Sequence, residues 1–235
     1  MRLIEKKRGT KRYYYLQHSY RNENKVITRE KYVGAELPNN MAEIQTAFLE
    51  ELKKETLYRQ LEIIKKEFQR EWKQYPESMK EKFKTQLTVE FTYNTNAIEG
   101  STITYDETEG IIERGVSPSK PLRDVKETES HAELFFHLLE NKPALSLSLL
   151  LEWHKKLFER TKPDIAGRLR EYLVRVGAYR APDWQDIPKL MKELFSFYAE
   201  NERLHPVELA ACMHYRFEKI HPFGDGNGRI GRLLM

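Results

Sequence analysis

Apolar residues recur at helical spacing along most of this chain. Between residues 39 and 75, Phe48, Leu52, Leu57, Leu61, Ile64 and Phe68 mark one face, and Pro76 ends the helical stretch they predict. A second helix is expected from about Glu77, with Met79, Phe83, Leu87 and Phe91 as its stripe and Gly100 as its stop. Thr104-Tyr105-Asp106-Glu107 has the pattern of a capping box and opens a short helix that runs to Arg114 before Gly115. Further helices are predicted at about 123–140, behind a cap at Ser146 or Ser148, over 186–201 with Asp186 as cap, and from Pro206. The last three would face the core through Trp153 and Leu157, through Leu190 and Leu194, and through Met213 and Phe217.

Two stretches break this period. Lys11-Arg12-Tyr13-Tyr14-Tyr15-Leu16 and Lys25-Val26-Ile27-Thr28 are aromatic and β-branched, with turn chemistry at Arg21-Asn22-Glu23-Asn24 between them. They predict a two- or three-stranded ribbon ending near Gly34. Residues 165–182 alternate apolar and polar and suggest a short β-hairpin between helices. The expected architecture is mainly α, with a basic β-ribbon (1–38), a helical region (39–84) and a domain at 85–235.

Charge is unevenly placed along this organisation. Residues 1–35 hold ten Lys/Arg and three Glu, a net of +7, while the whole chain is +4, so the remainder carries −3. The basicity belongs to the ribbon, which could meet nucleic acid or a protein partner. Lysines on exposed edges also prevent strand pairing, and that reading is preferred. The single cysteine, Cys212, excludes an intramolecular disulfide and fits a cytoplasmic protein. No apolar run reaches the roughly 18 residues needed to span a bilayer, so no membrane role is expected.

Chemistry concentrates at the end of the chain, in His221-Pro222-Phe223-Gly224-Asp225-Gly226-Asn227-Gly228-Arg229-Ile230-Gly231-Arg232. Gly224, Gly226 and Gly228 allow close backbone approach to a ligand, and a helix opening behind them favours an anion. Arg229 and Arg232 are three apart and share a helix face, where they can clamp phosphate oxygens. Asp225 offers a hard oxygen for Mg²⁺. His221, with an ordinary pKa of about 6.5, suits a general base near neutral pH.

Competing motifs fail on detail. Gly226-x-Gly228-x-x-Gly231 spells a dinucleotide fingerprint, but no strand precedes it and no acidic residue follows. An EF-hand register from Asp225 places Ile230 where glycine belongs, and a Walker A loop lacks its Gly-Lys-Ser/Thr. A zinc site from Cys212, His214, Glu218 and His221 lacks a common ligand face. His131 and His137 have no second ligand at metal spacing and read as structural, and His154 reads as a lone histidine satisfied in the core. The plain alternative is a helix N-terminus with solvated arginines.

The twelve residues resemble the signature of the Fic (filamentation induced by cAMP) family, His-x-Phe-x-Asp/Glu-Gly-Asn-Gly-Arg-x-x-Arg, at every fixed position. The resemblance covers roughly residues 85–235. It implies a mainly α Fic-type helical bundle that transfers AMP from ATP-Mg²⁺ to a hydroxyl of a target protein. By that resemblance His221 would be the base and Asp225 would hold Mg²⁺. Gly226, Asn227 and Gly228, with Gly224 beside them, would cradle the α- and β-phosphates. Arg229 would bind phosphate, Arg232 would reach the γ-phosphate, and Phe223 would anchor the loop in the core. The hairpin at about 165–182 would be a flap that receives the target chain by strand addition.

Thr95-Asn96-Ala97-Ile98-Glu99-Gly100 resembles the family's inhibitory motif, Ser/Thr-x-x-x-Glu-Gly/Asn, with Thr95 and Glu99 on one helix face. In that family the glutamate pairs with the second arginine of the signature, here Arg232. An auto-inhibited adenylyltransferase is expected. Alternatives are phosphate transfer or AMP removal at the same site, and a non-catalytic regulator whose ribbon binds nucleic acid. The family continues with further helices beyond the signature, whereas this chain stops at Met235. A longer natural protein, or a partner copy supplying that packing, is expected.

Overall fold

The tyrosine-rich N-terminal stretch folds as an antiparallel meander of β1 (Arg2–Arg8), β2 (Lys11–Asn22) and β3 (Lys25–Gly34). The computed structural model describes residues 1–22 and 24–235, so Glu23 of the expected turn lies outside the described residues. Lys6 pairs across the sheet with Glu30, which also accepts from Gln17 at 2.8 Å. Leu16 of β2 is fully buried against Phe48 and Leu52 of α1 (Met41–Lys53).

A π-helical turn, Lys54–Tyr58, joins α1 to α2 (Arg59–Gln74). It falls where the apolar spacing stretches to five residues, from Leu52 to Leu57. The extra residue of such a turn rotates the face that follows. Leu57, Ile64 and Phe68 are therefore exposed (52%, 65% and 46%), and the stripe that α1 buries does not continue inward along α2.

The chain divides into two compact units, Met1–Tyr75 and Pro76–Met235. The second is helical: α3 (Glu77–Ile98), α4 (Tyr105–Arg114), α5 (Leu122–Glu140), α6 (Leu147–Phe158), α7 (Ile187–Glu200), α8 (Pro206–Ile220) and α9 (Asn227–Leu233). Its core joins α6, α7, α8 and α9 through Trp153, Leu157, Met191, Leu194, Phe217 and Ile230. The Thr104–Glu107 capping box forms as expected, and Gly115 closes α4 at φ 63°. Ser146 caps α6 by accepting from the Leu149 N–H at 3.2 Å. No helix among the described residues is long and apolar enough to cross a membrane.

Three expectations are corrected. The expected stripe of α3 is half outside: Met79 and Phe83 are 48% and 40% exposed, and the buried face is Thr88, Val89, Thr92, Thr95 and Asn96. These threonines are buried because their hydroxyls are bonded, Thr88 to the Lys84 carbonyl at 2.8 Å and Thr92 to His131 at 3.1 Å. Residues 165–174 are a turn followed by irregular chain rather than strand, and the hairpin shrinks to β4 (Arg175–Val176) and β5 (Tyr179–Arg180). Gly167 at φ 69° turns that chain, and the buried Arg170 then fixes it by bonding backbone carbonyls. Asp186 occupies the cap position of α7 without capping, because a 3₁₀ turn (Trp184–Asp186) puts its backbone in the helical region.

Candidate functional site

α8 stops at His221, whose backbone is left-handed (φ 52°, ψ 60°), the one positive-φ non-glycine among the described residues. Such a conformation costs an L-residue roughly 1–2 kcal/mol and persists where the surroundings enforce it. Arg170 supplies that enforcement. Its Nε donates to the His221 carbonyl at 2.8 Å and its backbone N–H to the Pro222 carbonyl at 2.9 Å. The same guanidinium reaches the carbonyls of Tyr172 (2.6 Å) and Pro182 (2.7 Å), on either side of the β4–β5 hairpin. One buried cation thus fixes both the hairpin's base and the imidazole's backbone.

The loop after His221 is closed from within. The Asn227 carboxamide accepts from the Phe223 N–H and donates to the Phe223 carbonyl, both at 2.8 Å. One N–H and one oxygen lone pair of this side chain thus set the loop's shape. Phe223 is fully buried and stacks on His154 with ring centroids 4.0 Å apart. His154 Nδ1 accepts from the Gly167 N–H at 2.9 Å, which leaves Nε2 protonated to donate to the Asp225 carbonyl at 3.1 Å. Burial lowers the His154 pKa to about 4, so the ring stays neutral. Gly226 is left-handed (φ 77°), and a Cβ there would run into the Phe158 ring.

Asp225 faces cations. Lys162 Nζ lies 2.6 Å from Oδ2, the Gly226 N–H donates to Oδ1 at 2.5 Å, and Arg229 Nη2 is 3.4 Å from Oδ1. Burial opposes ionisation of this carboxyl, yet Lys162 and Arg229 outweigh it and hold the pKa below the ordinary value. Arg229 is itself buried and pairs with Glu127 of α5, which also takes Lys162 (3.1 Å) and Thr161 (3.1 Å). Asp225, Arg229, Glu127 and Lys162 line a polar cavity of about 100 Å³ together with Asn96, Glu99 and Asp124.

Arg232, on the second turn of α9, reaches back to the end of α3. Its Nη2 is 2.6 Å from Glu99 Oε1 and 3.2 Å from the Thr95 carbonyl, and its Nε donates to Thr95 Oγ1 at 2.8 Å. Glu99 sits just past α3, where Gly100 turns the chain at φ 82°. A Cβ on Gly228 would meet the Glu99 carboxylate and the Arg232 guanidinium, so Glu99 covers the start of α9. His221 is mostly buried, with Nδ1 3.7 Å from Glu218 Oε2. Burial first, then the Arg170 charge, lowers its pKa against the opposing influence of the Glu218 backbone contact.

The structure therefore gathers His221, Asp225, Arg229, Arg232, Thr95 and Glu99 around the loop. Pattern reading did not find Arg170, Glu127 or Lys162, whose partners lie 51, 102 and 63 residues away in sequence. Replacing Arg170 by Lys leaves buried carbonyls unpaired, a cost of about 1–3 kcal/mol. For a chain of this size, at about 2–4 °C per kcal/mol, that corresponds to a melting temperature lower by roughly 2–12 °C. Scanning calorimetry checks this, and an unchanged melting temperature would contradict the role given to the guanidinium.

The helical unit thus delivers an imidazole, a carboxylate and two arginines from one helix–loop–helix. Residues 144–235 match the Fic/DOC family, and the chain carries a Fic/DOC domain over that stretch. It is 34% identical over 150 residues to protein adenylyltransferase Fic of Nematostella vectensis, covering 61% of this chain and 35% of the relative. It is 33% identical over 153 residues to protein adenylyltransferase fic-1 of Caenorhabditis elegans, covering 62% and 30%. The chain thus spans about a third of the length of these curated relatives. Among solved structures, a Fic-domain-containing signaling protein from Bacteroides thetaiotaomicron superposes with TM-score 0.63 at 29% identity, covering 72% of this chain and 69% of that one. Fic-1 of C. elegans superposes with TM-score 0.56 at 29% identity, covering 62% and 46%.

Proposed function

We propose that this chain is the core of a protein adenylyltransferase held back by Glu99, transferring AMP from ATP to a Ser, Thr or Tyr hydroxyl. The observation that carries this reading is the Arg232–Glu99 contact at 2.6 Å beside the complete signature loop. It is supported by the adenylyltransferase names of relatives about a third identical.

In this reading the target hydroxyl approaches His221 and attacks the α-phosphorus of ATP. Its proton passes to the imidazole, the new bond joins AMP to the side-chain oxygen, and pyrophosphate leaves. Glu218 beside Nδ1 leaves Nε2 as the nitrogen facing substrate. The lowered His221 pKa keeps the ring neutral at pH 7, as a base requires. Arg229, locked by Glu127, and Arg232 supply fixed positive charge for phosphate oxygens.

Mg²⁺ fits the donor set: Asp225 is an ionised hard-oxygen ligand at the rim of a polar cavity, already drawn to cations. Bound with ATP, Mg²⁺ would neutralise phosphate charge. The exposed β4–β5 hairpin suits capture of an extended target segment through its backbone. Tyr179 Oη donates to the Lys219 carbonyl at 2.8 Å and ties that hairpin to the last turn before His221.

The test is transfer of label to protein from ATP carrying it at either the α- or the γ-phosphate, with Mg²⁺. Label from the α position alone is expected. Label from the γ position alone would mean phosphotransfer instead.

A further inference from the structure

Lys162 is poorly explained as a surface lysine. It lies in the turn after α6, where its N–H donates to the Phe158 carbonyl at 2.7 Å and its own carbonyl accepts from Ala166 at 3.1 Å. From this fixed backbone the side chain folds inward over the Phe158 ring, with Nζ 4.7 Å from the centroid. The ammonium then sits between two carboxylates, 2.6 Å from Asp225 Oδ2 and 3.1 Å from Glu127 Oε1. Asp225 Oδ1 is taken by the Gly226 N–H. Oδ2 is thus the oxygen best placed for a metal, and Lys162 holds it.

We propose that Lys162 sets the metal affinity of this site by acting as a built-in cation on Asp225, so that a divalent ion binds only by displacing the ammonium. The inference rests on the reading of Asp225 as the metal carboxylate. A lysine ammonium is a compact point charge on a flexible stem, able to leave a carboxylate without moving the backbone. Glu127 offers it a second carboxylate on release. Glu99 on Arg232 and Lys162 on Asp225 then restrain two separate parts of the site. Relief of the first leaves the second in place.

The experiment is titration of the full chain with Mn²⁺ alone, with free Mn²⁺ read by electron paramagnetic resonance. Wild type, Lys162→Met, Asp225→Asn and the double variant form a cycle. Lys162→Met is expected to bind Mn²⁺ about tenfold more tightly, the scale of a lost charge-assisted bond that is partly screened by solvent. The gain should vanish when Asp225 is Asn, which separates competition at that carboxylate from a general change in field. Equal affinity of Lys162→Met and wild type overturns the inference while leaving the metal reading intact. Equal affinity of Asp225→Asn and wild type overturns both. Should Lys162→Met fold poorly, the wild-type protein still decides. Its Lys162 ammonium nitrogen resonance is expected to shift on Mg²⁺ titration with the affinity of metal binding, and a resonance that never moves overturns the proposal.

Discussion

His221→Ala is expected to lower transfer of α-label to protein by about 10²–10⁴-fold, the usual contribution of a positioned base. The substitution is clean because the fold holds this residue by its backbone. Arg170 bonds the His221 carbonyl, not the ring, so removal of the imidazole leaves the loop's anchors in place. Alanine inherits the left-handed conformation, a modest cost shared with histidine. The melting temperature and the affinity for ATP should therefore stay close to wild type while transfer collapses. Collapse of binding and rate together would assign His221 to loop architecture instead. The wild-type pH profile adds an independent check. A base acts deprotonated, and burial lowers the His221 pKa below its ordinary 6.5. Activity should hold at neutral pH and fall only as the pH drops below that ordinary value; a limb already falling above pH 6.5 would contradict the assignment.

Most of this architecture was legible because it is written locally. The capping box at Thr104, the stop at Gly115 and the proline opening α8 depend on residues within a turn of each other. The signature loop was legible for the same reason, since its chemistry lies within twelve consecutive positions. α3 was misread because apolar periodicity is blind to a polar face that buries itself by bonding. Thr92, Thr95 and Asn96 do so against His131, Arg232 and Thr128. Arg170 looked like the polar half of a strand alternation, and only the fold brings the carbonyls of Tyr172, Pro182 and His221 to it. His154 is buried, as its place on the core face of α6 predicts, but its hydrogen bond to the Asp225 carbonyl, 71 residues away, has no local signal.

If the hairpin receives the target as proposed, the loop's geometry would link capture to chemistry without a separate device. The hairpin is held at its base by Arg170 and at its tip by Tyr179 on Lys219, and both anchors adjoin His221. A target strand added to the hairpin would place its hydroxyl by the same backbone frame that sets the imidazole. Loosening that frame should raise the KM for target before it changes ATP affinity, because the bonds of Arg170 go to the carbonyls of His221, Tyr172, Pro182 and Pro222 and not to Asp225, Arg229 or Arg232.

Glu99→Gly is expected to raise α-label transfer by about 10- to 100-fold. The Arg232–Glu99 bond is charge-assisted and mostly shielded, with side chains 16% and 31% exposed. A bond of this kind is worth roughly 1.5–3 kcal/mol, and about 1.4 kcal/mol corresponds to a factor of ten. Release acts at two places, because the carboxylate both neutralises Arg232 and covers Gly228. The arginine does not become mobile when Glu99 is removed. Thr95 still holds its Nε at 2.8 Å and its Nη2 at 3.2 Å, so the freed guanidinium edge stays aimed over α9. Glu99→Gln, which keeps the shape and loses the charge, should give an intermediate rise. The backbone tolerates glycine there because α3 has already ended at Ile98. Equal label incorporation by wild type and Glu99→Gly, with Mg²⁺ saturating, would sink auto-inhibition by Glu99. A rise that appears only at high Mg²⁺, and at lower Mg²⁺ once Lys162→Met is added, would mark the metal carboxylate as the restraint that remains.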